Sequence, residues 1–507
     1  YWLFEPIPIS ITSLLPVVLF PLLGVTSGKI IAEAYFSDLS FLFIGSFMVT
    51  ISLEKWNLHR RFSLAILSFI GMRSHLILLG FMLISGFLSM WLSNTCTTAM
   101  LLPMARYARN EENPNLEERE KESKKIKRLA KSLFLCIAYA SSIMGCSTLI
   151  GTPTNLILVH VLNDKFPLLQ TSEESPVTFL TWFLYAFPVS IIFLILAYVY
   201  FSIVFVRPIK IYQKSDLENS NMFREEYKKL GRIKFEEVVL CIVFVILCLL
   251  WIFRDLQFGT HHVGWNNLIY LISGRDEKEK SALMKYPSDG TVAVLIGILL
   301  FFIPSFNKPS MNSEVDDKKK KENQLTTGRI LDWKLMKNEM PWDIILLLGC
   351  GFALAAAYNQ CKFSDFIVDL VVVKFDLASK IHPYLMVFLI CFVVNILTEF
   401  SSNVGTASIL MPLLATMSVR IGENPLLYMA PATIASSLAF MTPIGTLANS
   451  LAFGYGHFTF IDMVISGAVL SIIGVCACTL GMMGLGSPAM GVELGVLPSW
   501  ANTTRIA

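Results

Sequence analysis

The chain has 507 residues, of which 54% are hydrophobic and 16% charged, and its net charge is +3. Its basic residues are confined to a few loops, which excludes the broad basic surface of a nucleic-acid binder, and no polar stretch is long enough for an independent soluble core. Apolar runs such as Leu14 to Leu23, Val189 to Val206, Val238 to Ile252 and Val292 to Ile303 belong in a bilayer, so the chain reads as one membrane domain with loops.

A helix needs about 20 residues to cross the hydrocarbon core. On that ruler spans are expected near 7–25, 38–53, 131–161, 177–206, 235–253, 291–304, 342–358, 426–457 and 459–484. Two further apolar segments, about 76–106 and 383–419, are each interrupted at a Ser-Asn pair and read as re-entrant hairpins. Lys55 with His59-Arg60-Arg61, the segment Arg106 to Lys131, the segment Arg207 to Lys234 and Lys318 to Lys321 all fall on one side under this count. By the positive-inside rule that side is the cytoplasm. The single N-x-[ST] sequon, Asn502-Thr503-Thr504, then falls outside and is a candidate glycosylation site. Trp56, Trp251 and Trp342, near span ends, read as interfacial anchors, and His457 as interfacial. The ten cysteines lie mostly in apolar segments without CxxC spacing and read as buried thiols. Because the chain starts at Tyr1 with apolar sequence at once, a preceding segment is expected, and no signal peptide can be judged.

The informative pattern is a repetition. Ser93-Asn94-Thr95-Cys96-Thr97-Thr98-Ala99-Met100-Leu101-Leu102-Pro103 recurs 309 residues later as Ser402-Asn403-Val404-Gly405-Thr406-Ala407-Ser408-Ile409-Leu410-Met411-Pro412. Each is followed by a second polar knot, Gly151-Thr152-Pro153-Thr154-Asn155 and Gly445-Thr446-Leu447-Ala448-Asn449. In hydrocarbon an unpaired polar group costs several kcal/mol, so such knots persist where they line a site. One such cluster could be a close helix contact built from small residues. Two pairs in the same order in both halves point instead to a duplicated binding apparatus of the kind secondary transporters carry. The span count puts an odd number of crossings between the hairpins, so the halves are inverted relative to one another.

Ser, Thr and Asn oxygens and carbonyls freed by a helix break are uncharged hard donors that suit a dehydrated alkali cation. Helix N-termini at the same breaks carry a positive dipole end that suits an anion. Neither hairpin tip contains Lys or Arg, so bound sodium would supply the positive charge, and coupling follows. Glu399 precedes the second tip where the first half has Met90, an asymmetry that favours a supporting role in the hairpin over coordination. Enzyme signatures are missing: there is no HExxH and no GxSxG, and Gly24 to Ile30 has neither the spacing nor the final Ser/Thr of a phosphate loop. The chain therefore reads as a transporter that is not an enzyme, without an organic cofactor and not driven by ATP.

Ser93-Asn94-Thr95, the run Leu397 to Asn403, Gly151 to Asn155, Glu54-Lys55-Trp56-Asn57-Leu58-His59 and the tail Trp500 to Thr504 resemble the divalent anion/sodium symporters, which include animal sodium-coupled dicarboxylate, citrate and sulfate transporters. The likeness covers nearly the whole chain, and by comparison with the family the chain is expected to lack the family's first span and most of its second. It implies an all-α polytopic membrane protein, an inverted-repeat transporter with two re-entrant hairpins and two broken helices, divided into a scaffold and an elevator-type transport domain, usually a homodimer. Matched position by position, one sodium site would use Ser89, Ser93, Asn94 and Gly151, and the other Thr398, Ser401, Asn403 and Gly445. Substrate carboxylates would meet Asn94, Thr95 and Thr152 from one half and Ser402, Asn403 and Thr446 from the other. Two departures are visible. Val404 replaces a threonine of the bacterial pattern, which leans against sulfate, and Leu447-Ala448 replaces a Pro-Pro pair, so the second break is expected to be less rigid and its cation site weaker.

The resulting expectation is a sodium-coupled symporter of di- or tricarboxylates such as succinate or citrate, in the plasma membrane with its C-terminus outside. Its first repeat would cover 1–206, with a hairpin at about 76–106 and a broken helix at about 131–161, and a cytoplasmic loop would follow at 207–234. The second repeat would cover 235–486, with a cytoplasmic loop at about 305–341, a hairpin at about 383–419 and a broken helix at about 426–457, and 487–507 would form an extracellular tail. A sulfate transporter of the same fold, or a sodium-independent exchanger, uniporter or channel, is the alternative.

Overall fold

The computed structural model describes residues 7–70, 74–107, 119–166, 168–171, 176–206, 216–254, 256–258, 261–265, 287–306, 328–362, 366, 368–369 and 381–501. Six of the described helices are long and apolar enough to cross a bilayer, and the pair Trp333–Glu339 and Trp342–Tyr358, bent by 61°, would make a seventh. On Phe235–Ile252 the exposed residues Val238, Ile242, Val245 and Leu249 recur at helical spacing, and Ile192, Ile195 and Val199 do so on Phe179–Phe201. Such apolar stripes are stable against lipid rather than water. The chain is thus a helical, polytopic membrane protein.

The expected spans reappear with small shifts. The segment 38–53 is the helix Asp38–Lys55, 177–206 is Phe179–Phe201 with a π turn after it, and 459–484 runs on to Met490. The expected span 7–25 is instead two helices, Ile9–Thr12 and Leu15–Leu22, and Gly28–Tyr35 and Leu58–Ile70 are helices where loops were expected. One departure from an all-α chain is an antiparallel ribbon, Leu256–Phe258 paired with His261–Val263. The sequon Asn502 and the run Lys318 to Lys321 lie outside the described residues.

Contacts group the chain into two compact units, one comprising Phe36–Ala65 and Arg224–Ile345, the other Tyr1–Tyr35, Ile66–Phe223 and Leu346–Ala507. In the smaller unit Asp38–Lys55 packs along Asp289–Phe302, and both touch Phe235–Ile252. The residues expected to be interfacial anchors are part of this interior. Trp56 is 3% exposed and donates its indole N–H to the Ile330 carbonyl, and Trp251 is 2% exposed and donates to that of Asp289. The N–H of a buried indole needs a partner, and here a distant carbonyl supplies it; only Trp342 is exposed. Lys55 pairs with Asp332 at 3.2 Å and Arg61 with Glu237 at 2.9 Å, so these charges brace the unit.

The larger unit contains two sets of elements that pack alike. The first hairpin, Ser74–Ser89 and Asn94–Tyr107, lies on the first broken helix, Arg119–Gly145 followed by Pro153–Lys165. The second hairpin, Pro383–Phe400 and Asn403–Ile421, lies in the same way on Pro425–Ser436 followed by Leu447–Gly454. Pro153–Lys165 packs on the second hairpin, and its counterpart Leu447–Gly454 packs on the first. Phe179–Phe201 and Phe460–Met490 pack against each other. Around them Tyr139, Trp182, Tyr185, Phe193 and Phe440 are fully enclosed. This exchange brings the four polar knots of the sequence into one unit.

Candidate functional site

The two hairpin tips are built by the same hydrogen bonds. In the first, Ser89 Oγ donates to Asn94 Oδ1 at 2.5 Å; in the second, Thr398 Oγ1 lies 2.8 Å from Asn403 Oδ1, and in both the partners are five residues apart. Ser93 Oγ accepts from the Cys96 N–H at 3.1 Å, and Ser402 Oγ from the Gly405 N–H at 3.0 Å, so each serine caps the helix that leaves the tip. A hydroxyl at this position satisfies an otherwise orphaned N–H. The tips therefore gather neutral oxygen at a helix N-terminus, as their composition implied.

The breaks are also duplicated. Thr148 Oγ1 donates to the Met90 carbonyl and accepts from Gly151 N–H, while Thr442 Oγ1 donates to the Glu399 carbonyl and accepts from Gly445 N–H. Met90 and Glu399 hold matching places before the two tips, so each threonine ties a break to its own hairpin. Asn155 Nδ2 donates to the carbonyls of Cys146 and Thr148, and Asn449 Nδ2 to those of Ala439 and Thr442. Freed carbonyls in a buried break must find donors, and these two asparagines provide them. Thr148, Thr442, Asn155 and Asn449 were not among the expected site residues, although the shared Thr-x-x-Gly-x-x-x-Asn spacing of 148–155 and 442–449 marks all four.

Backbone crowding at the breaks is severe. A Cβ on Gly151 would lie 2.3 Å from the Gly145 carbonyl oxygen, and one on Gly445 would lie 2.8 Å from the Ala439 Cβ. Any side chain at Gly151 would force the break apart. A Cβ on Gly145 would come 2.5 Å from Asn94 Oδ1, which shows how closely the first tip meets the end of Arg119–Gly145.

The break expected to be loosened by Leu447 and Ala448 is intact, with Pro425–Ser436 ending and Leu447–Gly454 beginning on either side of it. Two features hold the backbone at this break. Thr446 Oγ1 accepts from Asn449 N–H and caps the new helix, and the Glu399 carboxylate accepts from the N–H groups of Phe440, Met441 and Thr442 at 2.7 to 3.1 Å. Glu399 is buried and its hydrogen bonds give it the supporting role that its asymmetry implied.

The four knots form one connected set. The first tip abuts Gly145, and Gly145 abuts Gly151. From there Thr152 reaches Ser437 at 3.5 Å and Thr154 reaches it at 2.7 Å, while the Ser436 carbonyl accepts from Thr398 of the second tip. Thr152 is buried in this cluster, whereas Thr95, Ser401, Ser402 and Thr446 are half-buried. Among the described residues no three His, Cys, Asp or Glu side chains come together to hold a metal, and the oxygens paired at the two tips are neutral. His457 is half-buried and meets the Phe134 ring edge-on, 4.3 Å between centroids.

Comparison with known proteins accords with this architecture. A family profile described as the sodium:sulfate symporter transmembrane region matches residues 1–487. The Na(+)/citrate cotransporter of Rattus norvegicus is 33% identical over 548 aligned positions, covering 100% of this chain and 91% of that protein. Solute carrier family 13 member 2 of Homo sapiens is 34% identical over 556 positions, with 100% and 90% covered. The Na(+)/dicarboxylate cotransporter 3 of Mus musculus is 32% identical over 561 positions, with 99% and 88% covered. With its duplicated tips and breaks and a likeness that runs the whole length of the chain, the protein belongs to the sodium:sulfate symporter family.

Proposed function

We propose that the chain is a sodium-coupled symporter of di- and tricarboxylates of the succinate and citrate class. The observation that carries it is the repeated tip geometry, in which Ser89 with Asn94 and Thr398 with Asn403 each place two neutral oxygens together beside a helix break. The names of the relatives, for citrate and dicarboxylate transport coupled to sodium, point the same way. One sodium ion would be held by Ser89, Ser93, Asn94 and the Gly151 backbone, and a second by Thr398, Ser401, Asn403 and the Gly445 backbone. As a cation enters, the hydroxyl proton of Ser89 or Thr398 turns away and leaves both oxygens facing the ion. Asn94, Thr95, Thr152, Ser402, Asn403 and Thr446 would then hold the carboxylates, with sodium supplying the charge that the tips lack. Thr152 must give up part of its contact with Ser437 to do so.

The larger unit would be the transport domain and the smaller the scaffold, since every residue of the proposed site falls in the larger one. The repeats 1–206 and 235–486 would be inverted about the membrane plane, with 207–234 and 305–341 as cytoplasmic loops and 487–507 as an extracellular tail. Elevator-like movement of the site would provide alternating access. A homodimer in the plasma membrane, glycosylated at Asn502, completes the proposal. Its test is uptake of radiolabelled succinate, citrate and sulfate into vesicles. Replacing sodium by choline is expected to abolish succinate and citrate uptake, whereas equal uptake in the two media would reject symport, and sulfate uptake above both would reject the carboxylate assignment.

A further inference from the structure

We infer that Leu447, together with Ile444, forms an apolar lip on the substrate site that recognises the carbon skeleton between the carboxylates; this rests on the symport proposal above. The two side chains flank Gly445 and Thr446, at the second break. Ile444 is 81% exposed and Leu447 65%, while Gly445, Ala448 and Asn449 between and beyond them are buried. In the first half their counterparts, Ile150 and Pro153, are half-buried, so the lip belongs to one side of the site only.

The exposure is imposed by the fold. Thr442 is anchored to the Glu399 carbonyl and in turn holds Gly445 N–H, and Thr446 caps Asn449, so the backbone on both sides of Ile444 is pinned with its side chain outward. Leu447 is the first residue of the helix Leu447–Gly454, where it cannot turn under the buried Ala448. A Cβ on Gly445 would lie 3.5 Å from Glu399 Oε2, and Glu399 is three residues before Ser402, so the lip stands beside the second tip. The stripes that face lipid lie on long apolar spans, whereas these two aliphatic side chains flank a polar break, where leaving them uncovered in water is unfavourable. A ligand with carboxylates on the tips and methylenes between them covers this lip, whereas a compact inorganic oxyanion offers no carbon to do so.

The test compares wild type, Leu447→Ser and Leu447→Met in sodium-dependent uptake of succinate, 2,2-dimethylsuccinate and malonate. Leu447→Ser is expected to raise the half-saturating concentration of succinate roughly tenfold, the scale of one lost apolar contact. The rise should be greater for dimethylsuccinate and smaller for malonate, while the half-saturating sodium concentration, read with succinate held at the same multiple of each variant's half-saturating concentration, is unchanged and Leu447→Met behaves as wild type. An equal rise for all three acids would make Leu447 a packing residue or a contact with another surface of the protein, and it would overturn the lip, as would no rise at all. Wild-type uptake that ignores sodium would instead reject the symport proposal, an outcome read from the same plates before any variant is considered.

Discussion

Asn94→Ala and Asn403→Ala are each expected to lower sodium-dependent uptake by roughly a hundredfold or more, with surface expression preserved. Each asparagine has one side-chain oxygen already paired with a neighbouring hydroxyl, from Ser89 in one half and Thr398 in the other. In the proposed cycle each would ligate a cation and also face a carboxylate. A hydrogen bond or ligand contact to a charged group contributes about 1.5–3 kcal/mol, and two lost together exceed a hundredfold. Both asparagines are half-buried at a tip, so truncation opens little core and the protein should still reach the surface. Surface biotinylation beside an uptake assay makes the comparison, and retained uptake in either variant would remove that residue from the site.

Glu399→Gln is expected to impair both stability and transport. The carboxylate accepts from three consecutive backbone N–H groups, so an amide in its place would set its NH2 against donors. A buried donor left without a partner costs about 1–3 kcal/mol, and Glu399→Ala would leave three. The unfolding midpoint of the purified protein should fall for Glu399→Gln and further for Glu399→Ala. In the first half, where Met90 stands at the matching place, Met90→Leu should be almost neutral. Wild-type unfolding and uptake in Glu399→Gln would contradict a role for the carboxylate in holding the second break.

Much of this arrangement could be read from the sequence because in a bilayer the rules are few. The long spans follow from apolar length, and the knots stand out because Ser93-Asn94 and Gly151-Thr152 have no reason to interrupt such runs unless something polar is bound or bridged there. Short amphipathic helices were missed, Gly28–Tyr35 and Leu58–Ile70 among them, because their charges read as loops. Trp56 and Trp251 were misplaced at the interface because their partner carbonyls lie 274 and 38 residues away. The second break illustrates the same limit. Loss of two prolines predicts a looser backbone locally, yet the restraint comes from Glu399, 41 to 43 residues earlier in the chain. Chemistry at the site was legible by type; the repeated spacing marks Thr148, Asn155, Thr442 and Asn449, and their carbonyl partners show what they do.

Calorimetric titration of succinate into the purified, detergent-solubilised protein at stepped sodium concentrations, with choline holding ionic strength constant, addresses the central claim directly. If cations fill the two mirrored tips before the anion, succinate affinity climbs with more than the first power of sodium concentration and vanishes in choline alone. Binding of equal strength in sodium and choline would contradict it.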